Sequence, residues 1–524
     1  MRVVMHLRTG EAVVRVFRNK GLLRHHPVLK SEGACARLGG MRMQNKWGII
    51  LLVLLPLLMC FSGCKEKREP ELVMATDATF PPYEYFKGDE IVGVDVDVVA
   101  ELARRNGLGA RVENMKFESV IAAVQAGKVD IAAAGITVSA DREKQVSFTR
   151  PYARAQQVII VPSDSSITEA SLLPGRRIGV QSGTTGDLYV AENMGEPERF
   201  ANGALAVAAL VAGKVDAVVL DNLPAEKHVA RNAALKILPT PLTEEEYAIA
   251  VNKNRPELLA MLNKTLEEME QDGTLARIAR MHADSPSTAA APPAAEQGMW
   301  ASFHTNFIKN DRWKYLANGL LVTVEISAAA ALIGILLGGM IGMIRSTADQ
   351  TGRLKILDAL CRLYLTVIRG TPVVVQLLII YFVIFGSVEV NKVLVAIVAF
   401  GLNSAAYVAE IIRSGIMSVD KGQMEAGRSL GLGYGYTMRS IILPQAFKNV
   451  LPALGNEFIV LLKETSICGY IALQDLTKGG DIILSQTYDA FLPLLAVALI
   501  YLSMVVVLSH LLKKLEKYLQ KNER

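Results

Sequence analysis

EAGRSLGLGYGYTMRSIILP, residues 425 to 444, interrupts a strongly apolar C-terminal half with a polar, glycine-punctuated stretch. Glu425-Ala426 opens it with helix formers, Gly431 breaks it, and Ile441 with Leu443-Pro444 restarts an apolar helix. This pattern predicts a helix, a turn and a second helix between two membrane spans. A crossing helix needs about 20 mostly apolar residues, and runs near 316–344, 363–385, 393–412, 450–473 and 492–512 supply them. The fourth is the weakest, because Glu457, Lys463 and Glu464 lie inside it. Residues 313–516 therefore predict an all-α polytopic membrane domain with about five transmembrane helices, followed by a basic tail over 517–524.

The interruption resembles the coupling loop of ABC importer permeases, the element that docks on an ATPase subunit. YLTVIRGTPVVVQ (364–376) and AYVAEIIRSGI (406–416) are similar to motifs of the His/Glu/Gln/Arg/opine permease family. The resemblance implies a coupling loop over 417–446 in which Glu425, Ala426, Gly431, Leu443 and Pro444 meet a separate ATPase. It also implies a permease dimer, expected to be a homodimer. No G-x-x-x-x-G-K-[ST] phosphate loop occurs in the sequence, so ATP hydrolysis is assigned to the partner and no enzyme activity is expected here. Gly427 stands where the motif usually has a second alanine. At up to about 1 kcal/mol of helix propensity, this glycine is expected to loosen the docking helix.

The 524 residues are too many for one core, and 51% hydrophobic content fits a chain partly soluble and partly in lipid. The net charge of +5 points away from nucleic acid, because residues 1–69 hold 13 Lys/Arg against 4 Asp/Glu and the remainder 43 against 47. Within that basic leader, Arg42 and Lys46 precede an apolar run to Phe61 and then Ser62-Gly63-Cys64. This reads as a secretory leader over 41–64, with Cys64 a lipidation candidate and 1–40 an extension without structure. The cysteines are Cys35, Cys60, Cys64, Cys361 and Cys468, so the exported soluble part contains no disulfide framework.

Residues 70–284 alternate short apolar strands with helical segments, as in LVMATD, VDIAAAG and VDAVVLD, which is an α/β pattern. A Pro/Ala-rich linker over 285–312 follows. VQAGKVDIAAAG (124–135) and LVAGKVDAVVLD (210–221) echo each other at A-G-K-V-D. Each predicts a helix, a tight glycine turn and a buried strand. Eight residues beyond Gly127 and Gly213 stand Gly135 and Asp221, at equivalent strand ends of two halves. Ligands of open α/β sheets bind at such ends, so the two halves predict a clamp.

GITVSADREKQVSFTRPY (135–152), with ATDATFPPYEY (75–85) and GVQSGTT (179–185), resembles the polar amino acid family of periplasmic binding proteins, such as the glutamine-binding and lysine/arginine/ornithine-binding proteins. The fold implied is a type II, bilobal periplasmic-binding-protein-like clamp. By that resemblance Arg142 grips the ligand α-carboxylate, Thr137 and Thr185 add donors, and Asp221 with the Gly135 carbonyl takes the α-ammonium. Asp77, Phe80, Phe117 and Gln181 would meet the ligand side chain. A guanidinium fork suits a carboxylate because it makes two parallel charge-assisted bonds. Asp77 suits an amide NH2, a guanidinium or an ammonium and disfavours glutamate. Gln181 departs from the lysine of the glutamine binder. No cofactor or metal is implied.

These features predict the substrate-binding and permease subunit of an ABC importer for a polar amino acid, glutamine or a basic one. An exported clamp and an odd number of spans put the C-terminus in the cytoplasm, and the Arg345, Arg353, Arg428 and KKLEK positions agree. The expected site of action is the inner membrane of a bacterial cell, in contact with lipid. An amino acid-gated channel or receptor is the alternative. Such receptors insert their pore within the clamp, whereas both halves here finish before the first span.

Overall fold

The computed structural model describes residues 2–8, 11–17, 70–283 and 298–521, apart from 387, 389 and 488. The leader with Cys64 and linker residues 284–297 lie outside the described residues. Within 1–40, read above as unstructured, Arg2–Arg8 and Glu11–Phe17 pair antiparallel with Arg2 opposite Phe17. Their valine-rich composition suits strands.

From Pro70 to Ala283 the chain builds two α/β lobes. In the first, the sheet order is Gly109–Asn114, Glu71–Thr76, Ile131–Ala132, Ala250–Val251, Ser147–Phe148. In the second it is Glu198–Phe200, Ile178–Gln181, Ala217–Asp221, Ala153–Pro162, Leu235–Ile237, with Thr243–Tyr247 also on Ala153–Pro162. The chain crosses between lobes before Ala153 and again after Tyr247. The helices Pro256–Gln271 and Thr274–Ala283 then return to the first lobe, burying Leu262, Leu266, Met269 and Ile278 in its core.

The repeated A-G-K-V-D segments take the same form twice. Helices Phe117–Gln125 and Gly203–Val211 each end just before a left-handed glycine, Gly127 and Gly213, both at φ +67°. The aspartate of each copy then fastens the adjacent parallel strand. Asp130 Oδ2 accepts the Val73 N–H at 2.9 Å, and Asp216 Oδ2 accepts the Arg177 N–H at 3.0 Å.

The membrane domain starts earlier than residue 313. Met299–Phe303 and His304–Ile308 are helical and belong to it, because Asn306, Phe307 and Arg312 are buried. Arg312 Nε donates to Gln486 Oε1 at 2.6 Å and Asn306 Nδ2 to Asp489 Oδ2 at 2.7 Å. The aromatic spacing of Trp300, Phe303 and Phe307 was the overlooked helical signal.

Among the described residues three helices are long and apolar enough to cross a membrane: Trp313–Thr351, Lys392–Met417 and Phe491–Tyr518. The expected second span is instead two helices, Lys355–Gly370 and Val373–Ile384, bent by 108°. Pro372 is the cause, since it cannot donate into a continuing ladder and drives Thr371 into the extended region, φ −121° and ψ 145°. Gln376 patches the break: its Nε2 donates to the carbonyls of Ile368 at 2.6 Å and Thr371 at 3.0 Å. Asn403 Nδ2 in turn donates to Gln376 Oε1 at 3.0 Å. The expected fourth span is a continuous helix, Leu443–Glu464, but its charges keep it out of the apolar class. By length and apolarity the described residues hold three candidate spans, or four if the bent pair makes one crossing.

Helix packing follows from glycine spacing. Gly334, Gly338 and Gly342 recur every fourth residue, and a Cβ on them would come within 2.7 to 2.8 Å of Ser404, Ala405, Val408 or Ala409. The helices Trp313–Thr351 and Lys392–Met417 touch backbone to backbone along this stripe. At its far end Arg345 pairs with Glu410 at 2.9 Å, while Arg369 lies 5.5 Å over the Tyr407 ring.

Candidate functional site

The two lobes face each other across a narrow cavity. Asp77, Phe80, Phe117, Gly135, Thr137 and Arg142 line it from the first lobe, and Gln181, Thr185 and Asp221 from the second. All nine residues named from sequence meet there. Gly135 sits at φ +54°, where a Cβ would come 2.9 Å from Phe80, and its N–H donates to Asp95 Oδ2 at 2.8 Å. Phe80 packs against the cores of both lobes.

Among the described residues, the cation that lines the cavity is Arg142. Arg142, on the short helix Ala140–Glu143 capped by Ser139, is buried and donates from Nη1 to the Thr137 carbonyl at 2.9 Å. Its Nη2 reaches across the cleft to the Gly183 carbonyl at 3.2 Å. The guanidinium also stands 5.6 Å from the Phe117 ring centroid. Burial lowers the Arg142 pKa, and the charges of Glu245 and Asp221 oppose that shift. Across the cleft, Thr184 caps the helix Thr185–Asn193, its hydroxyl accepting the Asp187 N–H at 3.3 Å.

Asp221 marks the other polarity. It precedes the helix Asn222–Val229 but makes no side-chain cap; Oδ1 accepts the Tyr247 hydroxyl instead. Burial, and then the Glu245 charge, push its pKa up to about 7 against hydrogen bonds from Tyr247 and Gln157. Glu84, also in the lining, has its pKa raised well above its ordinary value by burial and by neighbouring Asp95.

Several participants were missed. Glu245 Oε2 accepts the hydroxyls of both Thr137 and Thr185, the latter at 2.9 Å. A hydroxyl has one proton, so with that proton on Glu245 neither threonine side chain donates elsewhere. Their expected role as hydroxyl donors to a carboxylate conflicts with this arrangement. The available signal was period two in Thr243–Tyr247, which puts Thr243, Glu245 and Tyr247 on one face. Gln181 is oriented by the Gly203 N–H, 3.2 Å from its Oε1, which turns its amide NH2 outward as a donor. Asp77 is already engaged: Oδ2 accepts the Phe117 N–H at 3.2 Å, and Oδ1 pairs at 3.3 Å with Lys478 of the membrane domain.

The first lobe rests directly on the membrane helices. Lys116 pairs with Asp481 at 2.7 Å, Lys392 with Glu113, and the Tyr315 hydroxyl donates to the Gly88 carbonyl. Ala78 and Phe86 share an apolar cluster with Tyr315, Leu316, Leu476 and Ile482.

The stretch expected to couple, residues 425–444, folds around a glycine turn. Helix Lys421–Ser429 ends in a Schellman turn, with Gly431 N–H on the Arg428 carbonyl at 3.0 Å and Leu432 N–H on that of Gly427 at 3.1 Å. Gly431 takes φ +82° with open space around it. Gly427 is buried, and a Cβ there would lie 2.6 Å from Thr437 Cγ2. It brings this helix close to Tyr434–Thr437 rather than loosening it. Glu425, Ala426 and Pro444 are exposed, and Leu443 is half-buried.

A two-lobed solute-binding module packed on permease helices defines the class. Residues 72–284 match the model for bacterial extracellular solute-binding proteins, family 3, and residues 315–521 that for the binding-protein-dependent transport system inner membrane component. The arginine transport system permease protein ArtQ of Bacillus subtilis (strain 168) is 39% identical over 40% of this chain and 94% of its own length. The glutamine transport system permease protein GlnP of Escherichia coli (strain K12) is 36% identical over 38% of this chain and 91% of its own. Among solved structures, an ancestral arginine-binding protein bound to arginine is 38% identical over 41% of this chain and 99% of that one, at a TM-score of 0.39. The chain belongs to the binding-protein-dependent transport system inner membrane component family, with a family 3 solute-binding domain fused ahead of the permease.

Proposed function

We propose that this chain captures a polar amino acid, arginine, lysine or glutamine, in its own clamp and passes it to its own permease helices, driven by a separate ATPase. The observation carrying this reading is one interlobe cavity whose lining combines a buried guanidinium, Arg142, with the carboxylates of Asp221 and Asp77. That layout matches a zwitterion's carboxylate and ammonium, with Asp77 left for a donor on the side chain. Arginine and glutamine relatives favour the same substrates. In this reading the Gly135 carbonyl assists Asp221 at the ammonium, and Phe80 and Phe117 flank the side chain. Gln181 donates its amide. At the carboxylate, the backbone N–H groups at the start of Thr185–Asn193 serve in place of the threonine hydroxyls.

The helix Trp313–Thr351 supports the orientation. Tyr315 near its start bonds the clamp, and Gln350 near its end accepts from the Tyr434 hydroxyl of the coupling stretch at 3.1 Å. At 1.5 Å per residue these contacts are roughly 50 Å apart, enough to cross a bilayer. With the clamp outside, the coupling stretch is cytoplasmic, as the basic residues near it require. Exposed Leu430 and Tyr436 give an ATPase an apolar surface there, with Glu425 and Arg428 lining the adjacent groove. A homodimeric permease would carry two clamps, and Cys64 would anchor each if lipidated. A thermal-shift screen of the full chain against the twenty amino acids tests the reading. Stabilisation by basic amino acids or glutamine is expected, and stabilisation by none of the twenty would refute it.

A further inference from the structure

Asp77 and Lys478 are separated by some four hundred residues, yet both are almost fully buried and meet at 3.3 Å. Asp77 also lines the ligand cavity. One carboxylate therefore belongs to two sites, the clamp and the permease. The contact is part of a reciprocal pair: Lys116, next to Phe117, sends its ammonium to Asp481 of the permease, while Lys478 sends its own back to Asp77. Both stems pass Gly469, where a Cβ would lie 3.7 Å from Lys116 Cε and from Lys478 Cδ. The Lys116 N–H donates to the Gly469 carbonyl at 3.3 Å. The Lys478 backbone is fixed as well, its N–H donating to Asp475 Oδ1 at 3.1 Å. Lys478 is thus a positioned ammonium, held by the fold against Asp77, a residue of the cavity lining.

We propose that Lys478 is a specificity and release element, competing with the cationic side chain of a bound amino acid for Asp77. The inference rests on the amino acid reading above and deepens it. With the clamp away from the permease, Asp77 offers both oxygens' remaining lone pairs to a guanidinium or ammonium. Docking brings Lys478 onto Oδ1, and a second cation on the same buried carboxylate is then repelled by like charge. A basic ligand is weakened by docking and leaves toward the helices. A neutral amide side chain carries no charge to repel, and its carbonyl can accept from Lys478.

Calorimetry on the full chain in lipid nanodiscs, with L-arginine and L-glutamine as probes, tests this. Lys478→Gln, which removes the charge but keeps a donor, is expected to tighten L-arginine about tenfold or more and to move L-glutamine less than about threefold. Lys478→Met, which keeps only the stem, should act in the same direction and serves if the first variant misfolds. In an Asp77→Asn background the Lys478→Gln effect on L-arginine should vanish, because the shared acceptor is gone. Unchanged L-arginine affinity in both Lys478 variants, or equal changes for the two probes, would overturn the proposal while leaving the amino acid reading intact. A wild-type chain that binds neither probe would overturn both.

Discussion

Arg142 spends only part of its donor set on protein. Two of its N–H groups hold the Thr137 and Gly183 carbonyls, and the rest of the fork is free to meet a ligand carboxylate. Arg142→Lys keeps the charge but loses the planar fork, so ligand affinity in calorimetry should fall by about 2–3 kcal/mol. A change within about twofold would remove Arg142 from the site. Asp221 gives a pH dependence. In the empty clamp it binds a proton below about pH 7, and an ammonium ligand requires the ionised form. Binding therefore expels that proton, and affinity should weaken up to about tenfold per pH unit below 7 and level off above it. Affinity that stays flat between pH 5 and 8 in titrations would contradict the assignment. Gly135, Arg142 and Asp221 could be read from sequence because a repeat and a local motif mark them. For Glu245, between Glu244 and Glu246, period two gives only a shared face with Thr243 and Tyr247, and strand pairing decides that this face turns inward. Lys478 carries no local signal at all, since its partner comes from the other domain.

At the scale of elements, the coupling stretch separates propensity from packing. By propensity, Gly427→Ala should stabilise helix Lys421–Ser429. The close approach of Thr437 reverses the sign, and the substitution should cost about 1–3 kcal/mol of local overpacking. Ligand affinity should be unchanged while ATP-driven uptake in cells drops several-fold, with Thr437→Ser in the same chain restoring part of it. Full uptake with Gly427→Ala alone would show that the contact is slack. The membrane spans were less readable than the loop. Apolarity identified the helical stretches, but Pro372 was absorbed into a run whose composition stayed apolar on both sides. What the break requires, Gln376 turned on to the freed carbonyls and held there by Asn403, depends on a neighbouring helix. The Pro/Ala linker likewise hid a helical end, because Trp300, Phe303 and Phe307 are few residues in a short stretch.

At the scale of the whole molecule, one chain joins a solute-binding domain to a set of permease helices, and the helix Trp313–Thr351 touches both the first lobe and the stretch around Tyr434. The ion pairs between first lobe and permease make the clamp's state and the permease's state interdependent. Fusion also keeps the clamp tethered at high effective concentration, so docking does not depend on diffusion of a free binding protein. All of this rests on the clamp holding an amino acid by its charged ends. The most direct test is calorimetric titration of the full chain with L-arginine, L-lysine, L-glutamine and L-glutamate, alongside Arg142→Ala. The account predicts one ligand per chain, binding of at least one of the first three, discrimination against L-glutamate by the Asp77 carboxylate, and no binding heat in the variant. Preferential binding of L-glutamate, or full affinity in Arg142→Ala, would contradict it.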